Sequence, residues 1–162
     1  MIRDATRGDA VRLAEVSLDG WQRGYLGIVP DEILARQSID KHLRYFESPE
    51  ALEPPMRTLV AELEGRVIGY AHGGPVRPEP GEQLDGAELW GMYVDPGHGG
   101  HSWALITAMV DHFRSMGSAV AYLWVLADNT HARRFYEAAG WKVDHRTART
   151  EPLSQIRYQL AL

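Results

Sequence analysis

The stretch LWVLADNTHARRFYEAAGWKV, residues 123–143, reads in order as strand, turn, helix, turn and strand. Leu123, Trp124, Val125 and Leu126 form a short apolar run with β-branched and aromatic side chains, which suits a buried strand. Asp128, Asn129 and Thr130 follow and offer N-cap side chains. Ala132, Phe135, Tyr136 and Ala139 then recur at i, i+3, i+4 and i+7, the period of one helix face. Arg133, Arg134 and Glu137 fall on the other side. Gly140 can take the positive φ that ends a helix, and Trp141 with Val143 begins another strand. One face of this helix therefore packs on a sheet, with Tyr136 on or beside it.

Upstream, ELWGMYV at residues 88–94 is a strand stopped by Asp95-Pro96-Gly97. The pair Gly99-Gly100 leads into a helix expected from Trp103 to Met116, with Leu105, Ile106, Met109, Val110, Phe113 and Met116 on a wide apolar face. Residues 58–62 and 66–71 form a hairpin about the Glu64-Gly65 turn. Residues 73–86, rich in glycine and proline, form an irregular excursion. At the start of the chain, residues 1–5 are a short strand. Thr6 and Asp9 resemble a capping box with aspartate in place of Glu or Gln, and Val11, Ala14 and Leu18 give a helix face. Residues 20–30 read as a break. Pro30, Asp31 and Glu32 start a second helix that runs to Phe46, and residues 48–55 are a polar, proline-rich loop. Downstream, residues 141–145 are a strand, 146–152 a polar segment and 155–160 a last strand. The order β-α-α-β-β-β-α-β-α-β-β, without internal repeat, predicts an α/β fold with a mixed sheet and helices on both faces. Right-handed crossovers are expected to flank the third and fourth helices.

The 162 residues are expected to form one domain, 1–162, with 44% apolar residues to build a core. The absence of cysteine removes disulfides, thiol nucleophiles and cysteine-ligated metals. Seventeen basic residues stand against 22 acidic ones, a net charge of -5. That balance argues against a general nucleic-acid binder and slightly favours a cationic substrate. No run of ~18 apolar residues offers a membrane span. The N-terminus carries Asp4 and Asp9 and lacks an apolar signal core. The expected compartment is the cytoplasm.

The best ligand cradle lies between Val94 and Ala104: strand, proline turn, glycine pair, helix N-terminus. Free N–H groups at such a terminus bind phosphate, although a plain turn and cap would read the same way. It is neither a Walker A loop, which needs GK[ST], nor the dinucleotide fingerprint. His98 and His101 sit on a turn without an HExxH partner, so no metal site is expected. No serine stands in a G-x-S-x-G elbow. Glu88 is either the solvated first residue of its strand or a base reaching into a cleft. Tyr136 is either a core aromatic or a phenol presented to a reacting group.

The residues at 123–142 closely resemble the last motifs of the GNAT superfamily of acyl-CoA-dependent N-acyltransferases. That pattern is a strand, an Asn, three residues, a helix with a Phe-Tyr pair, then Gly-Phe or Gly-Trp. Asn129, Ala132, Phe135, Tyr136, Gly140 and Trp141 match it. ELWGMYVDP resembles the family's central strand and its following turn, and IRDATRGDA and WQRGYLGIVPD resemble the opening of many bacterial members. The resemblance covers essentially the whole chain. One departure is in the pyrophosphate loop, usually Gln/Arg-x-x-Gly-x-Gly/Ala. Here Gly99 stands where the first Gln or Arg is expected, Gly100 matches the next glycine, Ser102 stands near another, and Ala104 fills the last small position. Trp103 is bulky at a position that usually sits by the cofactor.

The resemblance implies a mostly antiparallel sheet of seven strands whose fourth and fifth strands splay, and a direct acetyl transfer from acetyl-CoA to a primary amine. Pantetheine would bond to backbone at Met92, Tyr93 and Val94. Pyrophosphate would rest on Gly99, Gly100, His101, Ser102, Trp103 and Ala104. Asn129, with Ala132 and Phe135 beside it, would face the cofactor. Glu88 matches the frequent base, acting directly or through water, and Tyr136 the acid that protonates the leaving thiolate. A backbone N–H near Tyr93 or Val94 would polarise the thioester carbonyl. Trp21, Tyr25, Tyr45, Phe46, His72 and Trp90 are candidates for the acceptor wall, and a small-molecule amine is the expected acceptor. No nucleic acid or membrane partner is expected, and a homodimer is allowed. The alternative is a degenerate member that binds acyl-CoA as a sensor or interaction module.

Overall fold

The protein is described by a computed structural model covering residues 1–149 and 153–162, without the side chains of 145–149. Its strands are β1 (Ile2–Asp4), β2 (Arg57–Leu63), β3 (Arg66–Pro75), β4 (Ala87–Val94), β5 (Val120–Leu126), β6 (Lys142–Arg149) and β7 (Gln155–Ala161). They build one sheet in the order β1-β2-β3-β4-β5-β7-β6. The β4–β5 pair is parallel and the other neighbours are antiparallel, so the expected mixed sheet of seven strands is present. The helices are α1 (Ala10–Gly24), α2 (Asp31–Leu34), α3 (Ile39–Glu47), α4 (Pro49–Leu52), α5 (Gly100–Ser115) and α6 (Thr130–Ala138).

Strand alternation divides the apolar side chains between two cores. Leu59 and Ala61 of β2 point to one face, where Leu105, Ile106, Met109, Val110 and Phe113 of α5 cover them together with Tyr136 of α6. Val60, between them, points to the other face and meets Leu13 and Val16 of α1, Phe46 of α3 and Ala51 of α4. Both faces of the sheet are thus layered by helices. Arg157 of β7 lies in a buried ion-pair group, donating to Asp144 Oδ2 at 2.7 Å and to Glu82 Oε2 at 2.8 Å, and so ties the 76–86 loop to the sheet.

Several boundaries depart from the sequence reading. The break expected at Gly20 lies inside α1, which continues to Gly24. Gly20 serves a close approach: a Cβ there would fall 2.3 Å from the Tyr93 ring. The second helix is interrupted at residues 35–38, because Ser38 takes an extended conformation and caps a new helix, accepting from the Lys41 N–H at 3.3 Å. The 48–55 loop contains the one-turn α4, with Pro49 at its first position. β3 runs on to Pro75, so the irregular excursion begins after it. α5 starts at Gly100, not Trp103, and Met116 is its exposed C-cap, not a core residue. β6 extends to Arg149, through much of the expected polar segment; residues 150–152 lie outside the described residues.

Gly73 is held tightly between β4 and α5. A Cβ on it would lie 2.7 Å from the Glu88 carbonyl oxygen and 2.7 Å from Phe113 Cζ. Gly73→Ala is therefore expected to cost about 1–3 kcal/mol by overpacking, read as a lower urea midpoint with an unchanged m-value; an unchanged midpoint would show that the contact yields freely.

His72 of β3 is buried, and its two ring nitrogens are both engaged. Thr58 Oγ1 donates to the Ala51 carbonyl at 2.6 Å and lies 2.8 Å from His72 Nδ1. Tyr45 Oη lies 2.5 Å from Nε2. Burial first, then the charge of Arg77, pushes the imidazole down to about 4 from 6.5. Between these values the unfolded chain binds a proton that the folded chain refuses, so stability falls as pH drops from 6.5 towards 4. The full loss is about 3 kcal/mol, of which roughly 2 kcal/mol falls between pH 7 and 5. Urea unfolding of the parent and His72→Gln at both pH values should show a steeper pH dependence in the parent; equal slopes would refute the buried neutral imidazole.

Candidate active site

β4 and β5 pair only at Ala87↔Ala121, Glu88↔Tyr122 and Leu89↔Leu123 and then separate. The separation begins at a bulge. His72 of β3 pairs with Gly91 and Gly73 pairs with Leu89, leaving Trp90 as the extra residue. The bulge shifts the alternation of β4: Ala87 and Leu89 face α5, and beyond it Met92 and Val94 do so, while Tyr93 joins the opposite core. Past Leu89, the β4 edge towards β5 is unpaired. It opens on a cleft of about 790 Å³, walled by β4, β5, the 95–99 turn, α6 and the end of α1.

At the mouth of this cleft the chain turns through Gly97, with φ +82, into α5. The amides of His98, His101 and Ser102 close turns on the carbonyls of Asp95, His98 and Gly99. Those of Gly99 and Gly100 have no partner among the described residues. The result is a helix N-terminus with free N–H groups beside a cavity, suited to an anion. Asp95, one residue past β4, is fixed by Arg12 and flanked by Arg66.

On the far wall, Asn129 caps α6, its Oδ1 accepting from the Ala132 N–H at 3.1 Å. That leaves its amide N–H₂ group for the cleft, which Asn129 lines together with Ala132, Phe135 and Tyr136. Tyr136 is 9% exposed, and burial pushes its phenol well above the usual range. No hydrogen bond of its hydroxyl is found among the described residues, and the residue lines the cleft. Two more phenols border the cleft, Tyr25 and Tyr93, with their hydroxyl oxygens 2.9 Å apart. Trp21 meets Tyr25 edge-on, so this aromatic pair fixes the end of α1 over β4.

Of the residues expected at the cofactor, Met92, Tyr93, Val94, Gly99, Ser102, Asn129, Ala132 and Phe135 line the cleft. Gly100, His101, Trp103 and Ala104 do not. Because α5 begins at Gly100, Trp103 sits in its first turn and turns outward, 46% exposed, with its ring 5.2 Å from that of Phe135. Ala104 is exposed as well. Gly100 borders the site through its free amide alone.

Glu88 also lies off the cleft. Its side chain is 1% exposed and points to the face opposite α5. Arg77 holds it: the Arg77 backbone N–H donates to Oε2 at 2.9 Å, Nε donates to Oε1 at 3.2 Å, and Nη2 contacts Oε1 as well. The same guanidinium lies 3.8 Å from the centroid of the Trp90 ring. Arg77, from the glycine- and proline-rich excursion, had no sequence signal. Neither had Arg23, His131 and Arg134, which line the cleft. Helical periodicity had set Arg134 on the face away from the sheet, but that face borders the cleft where the strands part.

Residues 21–141 match the model of the Acetyltransferase (GNAT) family. The chain is 29% identical over 140 residues to the uncharacterized N-acetyltransferase YuaI of Bacillus subtilis, covering 85% of this chain and 77% of the relative. Its fold is similar to that of the ribosomal-protein-alanine N-acetyltransferase from Brucella melitensis, at TM-score 0.77 and 24% identity, over 100% of this chain and 99% of that one. It is equally similar to the PaiA N-acetyltransferase from Thermoplasma acidophilum in complex with coenzyme A, at TM-score 0.77 and 21% identity, over 100% and 98% of the two chains. The chain belongs to the acetyltransferase (GNAT) family, and it is an N-acetyltransferase whose cofactor is acetyl-CoA.

Proposed function

We propose that this chain transfers the acetyl group of acetyl-CoA directly to the primary amine of a small molecule, with Tyr136 as the acid. The observation that carries this reading is the phenol of Tyr136, buried, unpartnered and opening on the cleft where β4 and β5 part.

The residues present fit the cofactor. The free amides of Gly99 and Gly100 suit its pyrophosphate, the unpaired edge of β4 at residues 90–94 suits an amide-bearing arm, and Arg134 and His131 suit further phosphate charge. When bound, acetyl-CoA supplies a thioester that an amine can attack without an enzyme nucleophile, in keeping with a chain that has no cysteine. Tyr136 Oη holds its proton firmly in this buried setting and offers it where a leaving thiolate needs one. The amides of β4 orient the reacting carbonyl and stabilise developing charge. For Glu88 to take the acceptor's proton, directly or through water, the half-exposed Arg77 side chain must leave its carboxylate.

Tyr136→Phe is expected to lower turnover by ~10²-fold or more, while calorimetric affinity for acetyl-CoA stays unchanged. Unaltered turnover would exclude the acid role, and acetyl-CoA binding by the parent without turnover of any amine would leave the sensor or interaction reading in place of catalysis. Glu88→Gln should lower kcat/KM by ~10-fold or more, most strongly in the acidic part of the pH profile. A parallel profile in mutant and parent would remove Glu88 from the proton path.

A further inference from the structure

Of the side chains expected to wall the acceptor, Tyr25 and Trp90 line the same cleft as Tyr136. Tyr25 directly follows α1, and its hydroxyl oxygen lies 2.9 Å from that of Tyr93 on β4. The other polar side chains that α1 gives to this wall, Asp19 and Arg23, pair with each other. The phenol pair is therefore the uncommitted polar group that the α1 side offers to the cleft.

Both rings are held by packing. Trp21 meets Tyr25 edge-on at 4.9 Å, Tyr25 meets Tyr93 edge-on at 6.4 Å, and Tyr70 lies 5.7 Å from Tyr93 on the core side. Gly20 passes so close to the Tyr93 ring that a side chain there would clash. Rings packed in this way fix their oxygens in place, which is what holding a reactant requires. The pair also stands across the sheet from Tyr136: Tyr93 joins the core under α1, whereas Tyr136 joins the core under α5. The gap between β4 and β5 thus has a single phenol on one side and a phenol pair on the other. The two sides lie within electrostatic reach, because after burial it is the charge of Tyr25 that raises the Tyr136 phenol.

A phenol carries one proton and two lone pairs. One hydrogen bond joins the pair, so whichever hydroxyl donates, Tyr25 Oη keeps a lone pair for the cleft. Burial holds both phenols protonated, so the pair is uncharged. An amine that attacks a carbonyl carbon with its lone pair gains positive charge, and its N–H groups become stronger donors. An oxygen that accepts one of them binds the transition state more tightly than the ground state.

We propose that Tyr25 positions the acceptor: its Oη accepts an N–H of the attacking nitrogen from the α1 side of the gap, with Tyr93 as its brace. The assignment rests on the acetyltransferase reading and adds to it the group that holds the nucleophile.

The test is binding of two thioether analogues of coenzyme A, and it requires no knowledge of the acceptor. S-carbamoylmethyl-coenzyme A carries an NH₂ group on its carbonyl, where an attacking nitrogen would join; S-acetonyl-coenzyme A carries a methyl group there. Both are titrated calorimetrically into the parent, Tyr25→Phe and Tyr93→Phe, with free coenzyme A as reference. The parent should prefer the carbamoylmethyl analogue. Tyr25→Phe should lower that preference roughly threefold to tenfold, as loss of one neutral hydrogen bond predicts, with affinity for free coenzyme A unchanged. Tyr93→Phe keeps the accepting oxygen and should lower the preference less. A purely structural role for Tyr25 would weaken both analogues alike and leave their ratio unmoved. An unmoved ratio in Tyr25→Phe, equal binding of the two analogues by the parent, or a larger effect in Tyr93→Phe would each overturn the assignment. If free coenzyme A fails to bind the parent, the acetyl-CoA reading falls and this assignment with it; if it binds and only the ratio fails, this assignment alone falls.

Discussion

Two neighbouring parallel strands that pair over three registered positions and then part impose the rest of this architecture. Beyond Leu89 and Leu123 the inner edges of β4 and β5 have no strand to bond. Backbone polar groups withdrawn from water without a partner cost free energy, so such an opening persists only where solvent or a ligand can reach it. The cleft satisfies that condition. The cause of the parting is local: one extra residue, Trp90, in a strand that β3 otherwise pairs in register on either side. Without it, alternation would carry Tyr93 to the α5 face and Met92 to the α1 face. With it, Tyr93 meets Tyr25 and Tyr70, and α1 needs a glycine at position 20 to pass over the ring.

The same bulge ties the two faces of the sheet to one side chain. On one side of Trp90 lie the cofactor cleft and the Tyr136 phenol; on the other lie Tyr45, the edge of the His72 ring and the prolines after α4. His72 is buried deeply enough that each of its nitrogens must be matched, and a single carbonyl, that of Ala51, fixes the direction of every proton in the chain above it. A packing requirement at the bottom of α4 thus determines that the Tyr45 hydroxyl gives its proton to the His72 ring.

The parts of this architecture that local chemistry specifies were legible in the sequence. The strand, Asn cap, apolar helix face and terminal glycine of residues 123–143 each follow from propensity or period, and the α6 face that carries Tyr136 packs on the sheet as that reading implied, whereas its place beside the cleft depends on the parting of the strands. What could not be read depends on tertiary contact. Gly20 looks like a helix breaker until the Tyr93 ring is known to lie beneath it, and Gly73 looks like loop until Phe113 is known to press on it. Glu88 reads as a strand-end carboxylate with equal claims to solvent and to catalysis; its burial under Arg77 depends on a glycine- and proline-rich excursion with no periodicity to place it. Arg134 was set on the outer face by helical period, correctly, but only the parting of the strands makes that face border the cleft.

The pyrophosphate loop shows how far backbone can stand in for side chain. A loop with Gln or Arg at its head adds a donor to those of the helix N-terminus. Here Gly99 occupies that place, and it contributes an N–H and nothing else. A backbone amide is already oriented, so it binds an anion without freezing rotamers, whereas a long cationic side chain must be ordered first. Two uncommitted amides at the start of a 16-residue helix are therefore a sound anion site on their own. The charge that the loop lacks is available across the cleft, where the exposed Arg134 has no ion-pair partner among the described residues. Under the proposed reading, neutralisation of phosphate falls to the helix that bears the phenol rather than to the loop that bears the glycines, which would couple anchoring of the cofactor to the element that carries Tyr136.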